Sequence, residues 1–313
     1  MLIFVLKRIG FAIVTLLVAA AVAFVLVHLS GSTPGGVALG QSATAVQIHE
    51  YNARVGWYDP WIVQYTDWLG NVLRGDLGVS LVDGRDIGAD IAKRLPVTAA
   101  LAVFGTLFSA LLGIAMGVAA AVRGGAIDRA ITVISGILLS LPAFWVGVLL
   151  VYFFAVKGHL LPATGFVPFQ NDPAAWARSL VLPVLTIALT AAAGIARQAR
   201  ASMAESLTQE HMRTLRAVGT PTHRIVSVHA LRGASLPILA SIAVQFIVLF
   251  GGSAIIEVLY ALPGIGQAMQ ASVGSSDLPF VQALVLVATL VVVVVNLALE
   301  LFTLALDPKL RTS

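Results

Sequence analysis

The chain has 313 residues, of which 58% are hydrophobic and 11% are charged, and it contains 28 glycines. Soluble domains carry about 25% charged residues, because their water-facing shell needs polar side chains. This composition excludes an ordinary soluble enzyme and predicts a membrane protein. The net charge is only +4, and the lack of cysteine in the sequence excludes disulfides and thiolate sites.

Six stretches without Asp, Glu, Lys or Arg are long enough to cross a bilayer. A spanning helix needs about 20 apolar residues, because a hydrocarbon core of about 30 Å is crossed at about 1.5 Å per residue. The six are Ile9–Leu29, Val97–Val122, Ala130–Val156, Ser179–Ala196, Gly233–Ile256 and Leu278–Leu299. The fourth is the shortest and contains Pro183. The predicted fold class is therefore all-α, a polytopic membrane protein with six transmembrane helices.

The positions of lysine and arginine predict the orientation of these spans. With the N-terminus in the cytoplasm, the cytoplasmic segments hold twelve basic and four acidic residues, a net charge of +8. The opposite side holds seven basic and nine acidic residues, a net charge of −2. Because basic residues accumulate in cytoplasmic loops, we expect both termini in the cytoplasm.

The spans divide the chain into three regions. Residues 1–30 hold the N-terminal segment and first span, residues 31–96 form a long external loop, and residues 97–313 hold the other five spans. Within the loop, helical spacing predicts an amphipathic helix over Trp61–Val72. Its aromatic residues fit either an anchor at the membrane interface or direct contact with cargo. We expect the anchor, because aromatic side chains are enriched at the membrane interface.

A second long connection, residues 197–232, carries six arginines on the predicted cytoplasmic side. Glu205–Val218 lacks glycine and proline and predicts a helix, which Gly219-Thr220-Pro221 ends. Thr222–Arg232 predicts a second helix. Basic loops commonly serve only to set topology, but a helix–turn–helix also suggests a docking surface for another protein.

Small residues recur every four positions along the second predicted span. They are Gly105, Ser109, Gly113 and Gly117. This spacing places them on one helix face, where another backbone can approach closely. We therefore expect this face to pack against a neighbouring helix.

The sequence lacks several motifs that carry catalysis. It has no Gly-x-x-x-x-Gly-Lys-Ser/Thr phosphate loop, no Gly-x-Ser-x-Gly elbow and no His-Glu-x-x-His pair. Glu257 and Glu300 lie in or beside spans, where a charge is costly. We expect their carboxylates to reach water at the span ends. An enzyme is disfavoured, and an ion-coupled transporter has no obvious proton or ion relay in this sequence.

Eight segments, taken in order, support a family resemblance. They are Lys7-Arg8, Gln64-Tyr65, Trp68-Leu69-Gly70-Asn71, Arg74-Gly75-Asp76-Leu77-Gly78-Val79-Ser80, Arg94-Leu95-Pro96-Val97-Thr98, Leu141-Pro142-Ala143-Phe144-Trp145, Glu257–Gly266 and Asp307-Pro308-Lys309-Leu310-Arg311. Over nearly its whole length the chain resembles the inner-membrane permease subunit of bacterial peptide-type ABC importers, the dipeptide/oligopeptide permease B family. The resemblance implies the type I ABC importer permease fold.

The resemblance also implies a role for the cytoplasmic loop. Importer permeases carry Glu-Ala-Ala, three residues and then Gly, which form a coupling helix in a groove of the ATPase subunit. With that glycine aligned on Gly219, this chain departs from the general motif and is similar to the peptide-type version, Arg-Thr-Ala-x-Ala-x-Gly. The coupling residues implied are Arg213, Thr214, Leu215, Arg216, Ala217 and Gly219.

A further implication concerns opening and closing of the path. Prolines near helix ends and the turn after Glu257 are predicted to form a gate or hinge, or else to have a static structural role. The residues concerned are Pro142, Phe144, Trp145, Glu257, Pro263, Gly264 and Gly266.

The resemblance implies four kinds of partner and no cofactor in this chain. The partners are a second homologous permease, two ATP-binding subunits that hold ATP and Mg, an extracytoplasmic substrate-binding protein and membrane lipid. No catalytic or metal-ligating residue is expected here, and the location is the bacterial plasma membrane. Dipeptides or oligopeptides are the expected cargo, with glutathione, nickel chelates or haem as alternatives. An ATP-independent secondary transporter or channel is the alternative from another class.

Overall fold

The computed structural model describes the backbone of residues 2–306 and the side chains of residues 7–298. The Glu300 side chain and the predicted terminal motif Asp307–Arg311 lie outside the described residues. The helices, in chain order, are α1 (Leu2–Leu29), α2 (Pro34–Leu39), α3 (Ala45–Arg54), α4 (Trp61–Leu73), α5 (Ile87–Arg123), α6 (Gly125–Ser140), α7 (Ala143–Leu150), α8 (Pro173–Thr208), α9 (Glu210–Ala217), α10 (Thr222–Arg224), α11 (Leu231–Gly252), α12 (Ala254–Leu259), α13 (Ile265–Gly274) and α14 (Leu278–Leu306). Two π-helical segments, Val151–Lys157 and Ile225–Ala230, continue α7 and α10.

Five helical runs in the described chain are long and apolar enough to cross a membrane: α1, α5, α8, the run from α10 through α11, and α14. A sixth span arises if α6 and α7 are counted together, although they are bent by 100° at their break. The predicted all-α fold is confirmed. The third predicted span, Ala130–Val156, therefore consists of two helices that meet at a sharp bend. Leu141 is extended at ψ 130°, and Pro142 has no N–H to continue the helical bonding.

Two helices extend well beyond the spans predicted from the absence of charge. The second predicted span begins at Val97, but α5 begins at Ile87 and contains Pro96. The fourth predicted span covers 18 residues, whereas α8 has 36 and contains Pro183. At about 1.5 Å per residue α8 is about 54 Å long, more than the hydrocarbon thickness of about 30 Å. Its polar ends therefore belong to the same helix as its apolar centre.

The chain divides into two compact units, Met1–Thr98 with Pro263–Ser313, and Ala99–Leu262. In the first unit α1 packs against α14. In the second unit α8 packs against α6, α7 and α11. The centre of α8 is mostly buried, with residues such as Leu182, Ala188 and Ala193 fully enclosed. This helix is therefore the core of the second unit.

The predicted external loop is largely helical. Its amphipathic helix is confirmed as α4, and its aromatic residues contact the end of α1. The Trp57 ring stacks on His28 at a centroid distance of 4.3 Å, and Tyr65 meets Phe24 edge-on at 5.5 Å. Helices α2 and α3 were not predicted, although Thr44 begins α3 with a capping box that includes Gln47.

The same loop is tied to the chain before α14 through Asp277. The Asp277 carboxylate, 2% exposed, accepts hydrogen bonds from Ser80 Oγ at 2.5 Å and from the Leu81 N–H at 3.1 Å. A buried carboxylate needs such donors, because burying an unpaired charge is costly. These two bonds hold residues almost 200 positions apart in sequence.

Replacing Asp277 with alanine is expected to destabilise the first unit by about 2–4 kcal/mol. The change leaves the Ser80 hydroxyl and the Leu81 N–H without their charged acceptor. Thermal melting in detergent and protease cleavage after Arg85 measure the loss. The control is Glu50→Ala, which removes an exposed carboxylate from α3. Equal melting temperatures for the two variants would contradict the structural role of Asp277.

Candidate functional site

The predicted coupling helix is a short, separate helix in the structure. The expectation of one helix over Glu205–Val218 is wrong, because α8 continues to Thr208 and Gln209 then adopts extended backbone at ψ 147°. The new helix α9 begins at Glu210 and ends at Ala217. Nothing in the local sequence breaks the helix at this point. The break lets Met212, which is fully buried, turn into an apolar cluster of the second unit.

That cluster anchors α9 to the long helices of the second unit. Its buried members are Ala199, Met203, Met212, Ile225, Ala230, Ala234 and Ile238, and Leu215 packs against them. They come from α8, α9, the π-helical segment after α10, and α11. Side-chain packing therefore joins α9 directly to two candidate spans.

Gly219 ends α9 in the left-handed conformation, with φ +79°. The Gly219 N–H donates to the Arg216 carbonyl at 3.1 Å, and the Thr220 N–H donates to the Leu215 carbonyl at 3.0 Å. This pair of bonds is the Schellman motif, in which glycine is favoured because it has no Cβ to clash. The predicted helix end at Gly219 is confirmed.

The remaining coupling residues lie on the surface of α9. They are Arg213, Thr214, Arg216 and Ala217, all exposed in this chain. Arg216 also donates from Nη2 to the Leu207 carbonyl at 3.4 Å. One face of α9 is thus anchored by Met212 and Leu215, and the other presents two arginines and a threonine to the surroundings.

The small residues of α5 lie against α8. Gly105, Ser109, Gly113 and Gly117 are all buried. A Cβ added to Gly113 would lie 2.7 Å from the Ile195 Cβ, and one on Gly117 would lie 2.6 Å from the Ala196 carbonyl oxygen. These distances are shorter than van der Waals contact, so only glycine permits this approach of the two helices.

The break between α6 and α7 leaves Phe144 and Trp145 on the surface. They are 42% and 54% exposed in this chain, and their rings are 6.3 Å apart. One turn further on, a Cβ on Gly147 would come within 2.5 Å of the Leu259 side chain. The α7 helix therefore packs closely on α12, while its first turn is free to meet lipid or another chain.

Tyr260 joins three segments of the second unit and was not predicted. Its ring is 1% exposed, and its hydroxyl lies 2.7 Å from Thr186 Oγ1 on α8 and 3.3 Å from the Gly147 carbonyl on α7. The Tyr260 carbonyl accepts the Gly165 N–H at 2.9 Å. In the sequence, Tyr260 belonged to the Glu257–Gly266 segment of the family resemblance, but no role was assigned to it.

Glu257 is buried in the second unit, so the expectation that its carboxylate reaches water is wrong. It is fully enclosed, and Ser253 Oγ donates to its Oε1 at 2.8 Å. The fifth predicted span, Gly233–Ile256, began and ended too late, because the apolar helical run covers Thr222–Gly252. Glu257 belongs to the separate short helix α12. A buried acidic side chain is costly without such donors.

The predicted hinge turn, residues 263–266, begins at the boundary in sequence between the two compact units. One unit ends at Leu262, and the other resumes at Pro263. Gly264 begins α13, and Gly266 lies in its first turn. The Ile265 N–H donates to the buried Thr98 hydroxyl at 2.8 Å. The left-handed residue of this turn is Ala261, with φ +51°, and neither glycine adopts that conformation.

The structure defines a class of protein: a helical membrane protein with an exposed basic helix fastened to its long apolar helices. Within the described residues, no group of three or more His, Asp or Glu side chains is placed to hold a metal ion.

The chain belongs to the family of binding-protein-dependent transport system inner membrane components. The family model matches residues 109–312, and the model of that component's N-terminal part matches residues 1–102. The chain is 34% identical over 312 residues to the "Glutathione transport system permease protein GsiC" of Salmonella typhimurium, covering 99% of each chain. It is 32% identical over 310 residues to the "Probable peptide ABC transporter permease protein y4tP" of Sinorhizobium fredii, again 99% of each.

These similarities confirm the family and fold predicted from the sequence. The chain is a permease component of an ABC transport system, with the type I ABC importer permease fold. Its several long apolar helices make it a multi-pass inner-membrane protein.

Proposed function

We propose that this chain forms, with a second homologous permease, the path through which an ATP-driven importer takes up dipeptides or oligopeptides. An extracytoplasmic binding protein delivers the cargo, and two separate subunits bind ATP and Mg on the cytoplasmic face. Both termini of this chain lie in the cytoplasm. The similarity to permeases named for peptide and glutathione transport supports this class of cargo.

The observation that carries the proposal is the construction of α9. Its arginines and Thr214 are exposed, while Met212 is fully buried against α8 and α11. A helix with these two faces suits contact with an ATPase subunit on one side and transmission to the membrane helices on the other. Closure of the ATPase dimer moves α9, and the packed cluster moves the spans with it.

Residues near the break at Pro142 and the turn from Pro263 to Gly266 supply the proposed gate or hinge. A conformational change of this kind follows ligand binding only if the ligand has different affinities for the two states. The loaded binding protein therefore binds the outward-open state more tightly than the inward-open state.

The test is stimulation of ATP hydrolysis in the complete complex, reconstituted in liposomes with its binding protein. We expect a dipeptide or oligopeptide to raise the hydrolysis rate several-fold and to accumulate inside. Glutathione, a nickel chelate and haem are assayed in parallel, and stimulation by one of these alone would replace the peptide assignment. Uptake by this chain alone, driven by an ion gradient, would overturn the ATP-driven mechanism.

A further inference from the structure

Helix α6 is attached to the second unit by a narrow stripe of side chains. It packs on α8, but twelve of its sixteen residues are exposed in this chain. The other four recur at helical spacing and are Asp128, Ile131, Ser135 and Leu138. Of these only Ser135 is fully buried. Few apolar contacts therefore hold α6 in place, and its polar contacts gain weight accordingly.

The stripe begins with an ion pair between α6 and α8. Asp128 lies in the first turn of α6 and accepts from the Arg200 guanidinium with both carboxylate oxygens. The Arg200 Nε donates to Oδ1, and Nη2 donates to Oδ2 at 2.6 Å. A two-point contact of this kind fixes direction as well as distance, and its charge-assisted bonds are stronger than neutral ones. The pair therefore sets where the start of α6 lies on α8.

On α8, Arg200 belongs to the same turn as two residues that anchor α9. Ala199 and Met203 are fully buried members of the apolar cluster that holds Met212. Arg200 lies between them in sequence, and one helical turn spans about 3.6 residues. A Cβ on Gly117 of α5 would lie 2.8 Å from the Arg200 backbone nitrogen, so this turn is also closely packed on α5. The partner of α6 is thus part of the turn to which α9 is fastened.

The other end of α6 leads to the proposed gate. The helix ends at Ser140, and Phe144 and Trp145 lie in α7, directly after the bend at Pro142. With 16 residues, α6 is about 24 Å long. A continuous helix of this length moves as one body unless its own hydrogen bonds break. A shift at Asp128 therefore reaches the bend.

We propose that Asp128 and Arg200 are positioning residues, through which α6 and the proposed gate follow the movement of α8 and α9. This inference rests on the proposed function of α9 and adds the contact that joins α6 to it. A merely structural pair is the alternative, in which Asp128 stabilises the start of α6 through the helix dipole. That role needs no arginine on α8, so experiment can separate the two.

The test uses the complete complex, reconstituted in liposomes with its binding protein. The probe is whichever of a dipeptide, glutathione, a nickel chelate and haem stimulates ATP hydrolysis in the unaltered complex, so a change of cargo leaves the test intact. Asp128→Asn and Arg200→Gln are each expected to lower the number of solute molecules imported per ATP about fivefold. This ratio does not depend on the yield of folded complex. The double variant is expected to fall no further, because both changes remove one shared interaction.

Two matched variants control for the loss of a charge. Glu205→Gln removes an exposed carboxylate from α8, and Arg129→Gln removes an exposed guanidinium from α6, one residue from Asp128. Neither belongs to the stripe of α6 or to the apolar cluster of α9. We expect both to import within twofold of the unaltered number of solute molecules per ATP.

A second readout follows α7 itself. Because the sequence has no cysteine, Val148→Cys gives this chain a single thiol on α7, at a position that is 44% exposed. Its alkylation is measured by mass spectrometry of this chain, with and without ATP and solute. We expect ATP and solute to change the alkylation rate at least threefold, and Asp128→Asn to remove more than half of that change.

The outcomes separate this inference from the proposed function. If the unaltered complex couples uptake to hydrolysis but both single variants keep its solute-to-ATP ratio and its alkylation response, the ion pair has no positioning role. Losses that multiply in the double variant, or equal losses in Glu205→Gln and Arg129→Gln, would also overturn the inference. If none of the four solutes stimulates hydrolysis in the unaltered complex, the proposed function fails and the inference with it. If Arg200→Gln does not assemble, Asp128→Asn, which keeps the side-chain volume, decides the result.

Discussion

Replacing Gly117 with valine is expected to separate α5 from α8 and to destabilise the second unit by about 3 kcal/mol or more. The new Cβ would lie 2.6 Å from both the Ala196 carbonyl oxygen and the Ala199 Cβ, and 2.8 Å from the Arg200 backbone nitrogen. Two of these neighbours are backbone atoms of a helix, which cannot move aside as a side-chain end can. The whole helix must shift, and the close contact between the two spans is lost.

The matched control is Gly136→Val in α6. Gly136 also lies within an apolar helix, but a Cβ there meets no atom within 4 Å. The two variants share the cost of a β-branched residue, so their difference isolates the helix contact. Thermal melting in detergent and the yield of monodisperse protein measure the effect. Similar melting temperatures for the two valine variants would contradict the role of Gly117 in packing.

Replacing Gly219 with valine is expected to reduce solute-stimulated ATP hydrolysis and uptake by tenfold or more, with membrane insertion retained. This expectation rests on the proposed docking of α9. At φ +79° a β-branched residue is strained by about 1–2 kcal/mol, so the Schellman turn opens and the end of α9 shifts. The buried anchor at Met212 remains, which is why the chain still folds.

Gly124→Val is the control for that experiment. Gly124 also has positive φ, +59°, with nothing within 4 Å of an added Cβ, and it lies in the connection between α5 and α6. Its variant carries at least as much backbone strain outside α9, because Gly124 combines φ +59° with ψ −161°, a conformation essentially restricted to glycine, and it is expected to keep most uptake. Arg213→Glu tests the exposed face of α9 without backbone strain. Full coupling in both Gly219→Val and Arg213→Glu would refute docking through α9.

Prediction from the sequence was most accurate where hydrophobicity and turn chemistry determine the structure. An apolar run has to be helical in a bilayer, because every backbone group must be paired internally, so the spans themselves were found. The helix end at Gly219 was found because glycine tolerates the left-handed conformation required there. The spans predicted in α5 and α8 were too short, because a charged residue ends an apolar run without ending a helix.

The candidate coupling site was predicted only in part from the sequence. Exposed residues of α9 were identified through the family resemblance, but the helix start at Glu210 was not. The chain breaks at Gln209 because burial of Met212 in a cluster from three other segments outweighs continuation of α8. Such a cluster is assembled from residues distant in sequence and has no local pattern.

The sequence by itself determined the class of protein, the approximate spans and the family, because these follow from composition and from ordered motifs. Tertiary structure alone decided that Glu257 is buried beside Ser253 and that Asp277 holds the loop at Ser80. Each of these contacts depends on which buried polar groups form hydrogen bonds with each other once water is excluded. That pairing is a property of the packed chain and has no periodic signal along it.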